Sequence, residues 1–334
     1  MNEEQAAEQF LRSCDQHDRV AIVYHADADG ISSAVMVYLA LEYLGVKLLT
    51  PFALGRGENP FSDATLQNIN KADPDKLIVV DSGSRDGQFP ENVRAAIIDH
   101  HVPQGRPAVE VFFNTYEDET QRIASEAVYD VVYKIVQHPD FGFYVLIGIA
   151  GDIGLDKVPP RFKDDLHKYG RKKVQETVSM INAVRRHSSF KSDTLFRMLQ
   201  LSDSPEKFLK RARDSGFEKL KQEVSRDLYR NLKIAPRFSG KYALLDINSP
   251  HQIHPQIAVI WAGKLEGYVV IAANRGYLPG KVSFSMRTTS NVNLLDLLKA
   301  VRQEGEEMGY GHEKATGGIL AKSAFESLLR RLGF

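Results

Sequence analysis

The sequence predicts an α/β protein with an N-terminal, mostly parallel sheet flanked by helices, a helical connector and a smaller C-terminal α/β domain. Three observations carry this. Short apolar β-type runs alternate with helical stretches over residues 19–150. Between 160 and 237 β-like alternation disappears, Gly and Pro are sparse, and Lys and Arg crowd in. Strand-like runs return after 241. The expected domains are 1–155, 156–240 and 241–334.

In order, Arg19–Tyr24 is an apolar strand ending in a polar loop, and Ile31–Leu44 has helical spacing and closes at Gly45. Lys47–Phe52 reads as the second strand, while Lys76–Val80 and Arg94–Ile98 are short apolar runs that end at acids. Val109–Phe113 is a further strand and Ser125–Gln137 a helix. In the connector, Leu220, Val224, Leu228 and Leu232 recur every four residues and predict a helix over Phe217–Leu232, with Pro159-Pro160 before the region and Pro236 after it. Beyond it, Tyr242–Ile247, Gly267–Ala273 and Lys281–Arg287 read as strands, and Asn293–Glu304 and Lys322–Leu332 as helices.

Hydrophobic residues are 43% and charged residues 26% of the 334, which excludes a disordered, collagen-like or low-complexity chain. No apolar run approaches the ~20 residues needed to cross a bilayer. The first ten residues hold three Glu and no basic cluster, so no secretory segment is expected, and a lone Cys14 excludes an internal disulfide or a CxxC zinc site. A cytoplasmic location is the expectation. The net charge of zero hides an asymmetry: residues 1–155 hold 11 Lys+Arg against 24 Asp+Glu, 156–240 hold 21 against 11, and 241–334 hold 11 against 8. Such a split suits cations bound by the first part and a polyanion met by the middle, although a solvated Lys/Arg-rich helical face explains the middle equally well.

Chemistry-bearing residues collect at predicted strand ends. His25-Ala26-Asp27-Ala28-Asp29-Gly30 follows the first strand and precedes a helix, and its two-residue spacing puts His25, Asp27 and Asp29 on one side of an extended chain. Asp81 follows the run ending at Val80, and Asp99-His100-His101 closes the run over Ala95–Ile98. Asp152, in Gly148–Gly154, follows a helical apolar stretch. Each alone is a turn residue, a helix cap or a satisfied core group. Together they would crowd so many carboxylates at one sheet edge that cations must neutralise them. Mixed imidazole and carboxylate donors without sulfur suit two divalent metal ions: Mn²⁺ first, then Mg²⁺ or Co²⁺, with Zn²⁺ also compatible. A metal pair can activate a water and stabilise both the attacking and the leaving oxygens of a phosphoryl displacement.

These motifs resemble the DHH phosphoesterase family, named for the triplet that stands here as Asp99-His100-His101, with HADADG at 25–30, Asp81 and GDIG around Asp152 as the companion motifs. The resemblance extends to the DHHA1 substrate-binding domain, through Ser285-Met286-Arg287 and the stretch Gly309 to Gly318 that contains Gly311, His312 and Gly317. Where that domain usually carries GGGH, the second Gly is here Tyr310. Within the family the chain is most similar to stand-alone archaeal RecJ-like single-strand exonucleases. The resemblance implies that His25, Asp27 and Asp81 hold one metal, and that Asp29, Asp81, His100 and Asp152 hold the other. It implies His101 beside the scissile phosphate and Asp99 orienting the histidines. Read on their own, the glycines let backbone N–H groups meet an anion, Arg287 can clamp a phosphate, and His312 can donate to one; a Gly-rich turn before the last helix explains the same residues without a ligand.

The expected function is a metal-dependent phosphodiesterase that releases nucleotides from single-stranded DNA or RNA in repair or replication. One alternative takes oligoribonucleotides, phosphoadenosine phosphate or a cyclic dinucleotide. Another, of a different class, is a scaffold accompanying a helicase or replication protein, for which the family's degenerate members lose metal ligands that are all present here. His251 and His254 could in principle bind metal but, with no carboxylate cluster beside them, are expected to be structural; Arg56 could face the cleft, a tight surface turn explaining it as well, and Trp261 and the tyrosines could stack on bases, although most aromatics at such spacing are core. Arg171-Lys172-Lys173 and Arg185-Arg186 are the best candidates to track a nucleic-acid backbone, a solvated helix face being as good an account.

Overall fold

A computed structural model describes residues 2–303 and 308–334, without the side chain of Tyr310. The chain divides into two compact units, one of residues 1–185 and 191–218, the other of 186–190 and 219–334. No helix among the described residues is long and apolar enough to cross a membrane.

The first unit begins with α1 (Glu3–Arg12), whose first turn is closed by an Asn2/Gln5 capping box. Then follow β1 (Arg19–Tyr24), α2 (Ala28–Tyr43), β2 (Leu48–Ala53), α3 (Asp63–Ala72), β3 (Lys76–Val80), β4 (Arg94–Asp99), β5 (Val111–Asn114), α4 (Ala124–Val132) and α5 (Phe141–Asp152). After these come α6 (Lys163–Tyr169), α7 (Arg171–Arg186), α8 (Ser192–Gln200) and α9 (Pro205–Asp214). All five strands pair in parallel, in the order β2-β1-β3-β4-β5. β1, β3 and β4 are almost wholly buried, as continuous Val/Ile/Ala runs covered on both faces must be. From β1 the chain moves one way to β2 and then returns to the other side of β1 for β3. That reversal opens a crevice at the carboxyl ends of β1 and β3, where open α/β sheets bind ligands.

The helices behind this edge pack tightly. A Cβ on Gly148 of α5 would overlap Ser125 Oγ and Asp29 Oδ1, both buried. Gly148→Ala is therefore expected to destabilise the fold by about 1–3 kcal/mol, as overpacking does. A melting temperature equal to the parent protein's would show that the two neighbours move aside.

The second unit contains most of α10 (Phe217–Asn231), then β6 (Arg237–Ser239), β7 (Tyr242–Ile247), α11 (His254–Ala262), β8 (Val269–Asn274), β9 (Lys281–Thr288), α12 (Leu294–Val301), β10 (Met308–His312), β11 (Ala315–Ala321) and α13 (Lys322–Arg331). Its six-stranded sheet runs β10-β11-β9-β8-β7-β6, antiparallel except for the β7–β8 pair. One sheet face carries a core with α12 and α13, and the other a core with α10 and α11.

Three expectations are corrected here. The glycine-rich stretch after Gly309 is a β-hairpin rather than a loop. Gly311 pairs with Thr316, and Gly317 lies so close to Phe284 of β9 that a Cβ would overlap its carbonyl oxygen. Glycine there serves strand-to-strand approach, and part of the backbone expected to face an anion is spent on the ladder. The helix expected over Ser125–Gln137 ends at Val132, and the helix from Asn293 ends at Val301; its expected last residue, Glu304, lies outside the described residues.

Candidate metal centre

Four chain segments meet at the crevice. β1 ends at Tyr24, His25 follows, and Asp27 caps α2 by accepting from the backbone N–H groups of Asp29 (3.1 Å) and Gly30 (3.0 Å) with Oδ1. The cap leaves Asp27 Oδ2 facing His25 Nδ1 at 3.1 Å. The cap and ligand readings of this motif are thus compatible in one carboxylate. Asp29, two residues on, reaches a second helix start: Oδ2 accepts from Ala124 N (2.9 Å) and Oδ1 from Ser125 N (3.0 Å), at the N-terminus of α4.

Asp81 sits at the centre. It follows β3 in left-handed backbone (φ 59°), costly for any residue with a Cβ and least so for Asn or Asp. Its N–H is tied to Ile98 O of β4 at 2.9 Å, and its side chain is buried between the histidines. Oδ2 lies 3.3 Å from His25 Nδ1, and Oδ1 lies 3.2 Å from His100 Nε2 and 3.8 Å from His101 Nδ1. Two triads of donor atoms share it: His25, Asp27 and Asp81, and Asp81, His100 and His101, the atoms of each lying within 4.8 Å of one another. His100 Nε2 is also 3.8 Å from Asp29 Oδ2. Asp152 closes α5 as an exposed residue whose charge acts on His100.

Asp99 stands behind the histidines. Fully buried, it accepts from Ser84 N (3.0 Å) and Oγ (2.6 Å), from His100 N (2.8 Å), and from His101 N (3.4 Å) and Nδ1 (2.8 Å). Burial alone would raise its pKa, but the charge and hydrogen bond of His101, with those of Ser84 and His100, hold it well below the usual carboxylate range.

The electrostatics say what this cluster lacks. Burial, then the charges of Asp81 and Asp152, push Asp29 well above the carboxylate range. Burial would lower His100, yet Asp81, whose Oδ1 lies 3.2 Å from its Nε2, and the charges of Asp29 and Asp152 raise it to about 10. His25 is likewise raised by Asp27 and Asp81 against its burial. Buried Asp81 Oδ1 has no hydrogen-bond partner among the described residues despite the nearby imidazole nitrogen, an arrangement that costs energy unless a further group binds both. Hard oxygen and imidazole donors around such an atom fit divalent metal ions.

In the second unit the Ser285–Arg287 stretch of β9 lies within charge range of buried His254. Largely buried Arg287 donates to Ser285 Oγ (3.1 Å) and Met286 O (2.9 Å), and it has no carboxylate within ion-pair distance among the described residues. Near it, His254 opens α11 with a buried Nδ1 that has no hydrogen-bond partner among the described residues. Burial, then the charges of Arg186 and Arg287, push that imidazole down to about 3. His254 and Arg186 are the residues that sequence reasoning missed as a pair. The signal for His254 was a histidine followed by Pro255 at a helix start; nothing local linked it to Arg186. His312 lies at the end of β10, beside the Gly311–Thr316 pairing.

Residues 19–149 match the model of the DHH family, N-terminal domain. No curated protein matches the chain. Among solved structures it is similar to RecJ in complex with Mn²⁺ from Thermus thermophilus (TM-score 0.73, 16% identity), covering 99% of this chain and 54% of that one, so this chain spans about half of that protein. An exonuclease RecJ bound to manganese matches with TM-score 0.69 and 17% identity over 99% of this chain and 93% of that one. CDC45 from Entamoeba histolytica matches with TM-score 0.61 and 10% identity over 99% and 98%. These likenesses establish a shared fold. Family match, strand order and the aspartate-histidine cluster agree on one assignment: residues 19–149 form a DHH-family N-terminal domain.

Proposed function

We propose that the chain is a divalent-metal-dependent phosphodiesterase that removes nucleotides from the end of a single-stranded nucleic acid. The observation that carries this is the single carboxylate of Asp81, which faces His25 and Asp27 through one oxygen and His100 through the other at the switch point of a parallel sheet. His25, Asp27 and Asp81 would hold one cation, and Asp81 and His100, with Asp29 and Asp152, the other. When bound, the cations supply a water of lowered pKa and positive charge for the phosphoryl oxygens; Mn²⁺ is the ion to try first. His101 gives its Nδ1 to Asp99, so Nε2 remains to donate to a phosphate oxygen. Asp99 raises the proton affinity of that ring against the burial that lowers it, which keeps the donor available. Arg287, with Ser285, His254 and the Gly309–Gly318 hairpin that carries Gly311, His312 and Gly317, would bind a phosphate of the substrate.

Digestion of 5′- and 3′-labelled single-stranded DNA and RNA of graded length with Mn²⁺ tests the reading. Progressive loss of terminal nucleotides from long oligomers is expected. Turnover confined to the shortest members would move the substrate to small phosphodiesters, and no release from any oligomer would end the proposal. Arg287→Ala is expected to raise KM by about ten- to a hundredfold with kcat little changed, since a charge-assisted hydrogen bond is worth roughly 1.5–3 kcal/mol. An unchanged KM would remove Arg287 from the substrate site.

A further inference from the structure

Helix α10 and the edge strand after it carry a surface that the catalytic reading does not use. Residues 219–241 hold seven Lys+Arg and two acids. Val224, Leu228 and Leu232 face the core under β7 and β8. At 100° per residue Lys219, Arg226 and Arg230 fall in one row on the opposite side, and Lys233 follows in the turn after the helix, all exposed. The two acids have other partners as well: Glu223 bonds His187 Nε2 at 2.8 Å while the charges of Lys219 and Arg226 act on it, and buried Asp227 holds Ser249 Oγ, Asn231 and the row's Arg230. Lys219, Arg226 and Lys233 have no carboxylate within ion-pair distance among the described residues. On α9, Lys210 pairs with Asp214 at 2.7 Å and Lys207 with Asp203, while Arg211 and Arg213 there are exposed without an ion pair among the described residues.

One aromatic accompanies the row and a second is exposed on the neighbouring strand. Tyr229 is 69% exposed, one turn after Arg226 on the helix surface. Phe238 on β6 is 54% exposed; it pairs with Ala243, and Ala243 belongs to the core under α10, so Phe238 stands on the sheet face that α10 covers. β6 is the outer strand of its sheet. Cations spaced about two helical turns apart with no carboxylate at ion-pair distance, and exposed rings on the same stretch of chain, match a polyanion whose bases are splayed out. A duplex hides its bases from such rings.

We propose that the outer face of α10, with Phe238, is a second binding site for single-stranded nucleic acid, its phosphates on Lys219, Arg226 and Lys233 and its bases on Tyr229 and Phe238. The site rests on the reading of the chain as a nuclease and names a surface for a long substrate outside the residues of the metal centre.

The test is fluorescence anisotropy of labelled dT30 and dT5 on the full chain in EDTA, beside Mn²⁺-dependent hydrolysis of dT5. In Arg226→Glu/Lys233→Glu, dT30 affinity falls tenfold or more and the salt slope drops by about two, one for each phosphate no longer neutralised. Tyr229→Ala weakens dT30 about five- to a hundredfold, the value of one stacked base, while Tyr229→Phe keeps it. Hydrolysis of dT5 is the same in every variant. Unchanged dT30 binding in the charge-reversed variant, or a parent protein that binds dT30 no better than dT5, overturns the second site and leaves the nuclease reading standing. A parent protein that hydrolyses no oligomer overturns that reading and this site together. Anionic vesicles that bind the parent in place of dT30 assign the face to a membrane surface and overturn it as well.

Discussion

Asp81→Asn is expected to lose phosphodiesterase activity on the order of a thousandfold or more while the protein still folds. The two halves of this expectation have separate causes. Activity falls because one carboxylate serves both ligand triads, so its loss removes charge from both cation positions at once. That should exceed the cost of losing one oxyanion donor, about 10²–10³. The fold survives because Asn is, with Asp, the residue that best tolerates the left-handed backbone at φ 59°, and because the Ile98 anchor is made by the main chain. Asp81→Ala adds about 1–2 kcal/mol of backbone strain and is the less clean variant. A purified Asp81→Asn protein, folded by circular dichroism and as active with Mn²⁺ as the parent, would remove the basis for the metal centre.

The same electrostatics predict how metal and protons compete. His100, raised to about 10 by Asp81, Asp29 and Asp152 against its burial, must give up its proton to become a ligand. Mn²⁺ should therefore bind more tightly as pH rises from 6 to 8. At a hundredfold excess over Kd it should raise the melting temperature by about 5–10 °C, the effect of roughly 2.7 kcal/mol on a unit of this size. Because the pKa is raised in the folded state, the imidazole's own stabilisation is full below about pH 6.5 and fades as pH rises through about 10. Metal-free protein loses that support in the alkaline range and metal-loaded protein does not. A Mn²⁺ shift of the same size in Asp81→Asn would place the ion elsewhere.

Much of this centre was legible because parallel strands end where their chemistry begins. Continuous apolar runs at 19–24, 76–80 and 94–98 mark buried strands, and each is followed within a residue or two by His25, Asp81 or the Asp99-His100-His101 triplet. Local pattern alone carries that. What it could not carry was register in three dimensions. Asp29 and the start of α4 lie 95 positions apart, and no periodicity announces that a motif carboxylate will close another helix's N-terminus. The glycines after 309 read as a loop because strand propensity penalises Gly, whereas their role is to let β11 approach β9 closely. The three-residue strand β6 is too short for alternation to register, and it exists through pairing with β7. Arg186 and His254 meet only through the fold of the second unit.

Asp99→Ala is expected to lower both stability and kcat, through the same five hydrogen bonds. Two side-chain and three backbone donors converge on one buried carboxylate, and its removal leaves them facing an apolar methyl group. Breaking such a buried charged set costs about 3–5 kcal/mol, or a fall of roughly 6–20 °C in melting temperature. Asp99→Asn keeps the shape and one acceptor, so it retains more of the fold, but its amide cannot accept from every donor that converges there. His101 then loses the partner that fixes its ring, and kcat should drop about ten- to a hundredfold with KM little changed, as for other groups that orient catalytic histidines. The pH dependence separates orientation from packing. Asp99 is held below the usual carboxylate range when folded, so its contribution is complete above about pH 4 and is lost as pH falls further. The parent protein should thus lose stability on acidification below about pH 4 more steeply than Asp99→Asn, whose amide does not titrate. If Asp99→Asn kept the parent's kcat, His101 would be oriented by Asn114, whose Nδ2 donates to His101 O at 3.0 Å, and by the chain around it, and Asp99 would be a purely structural anchor.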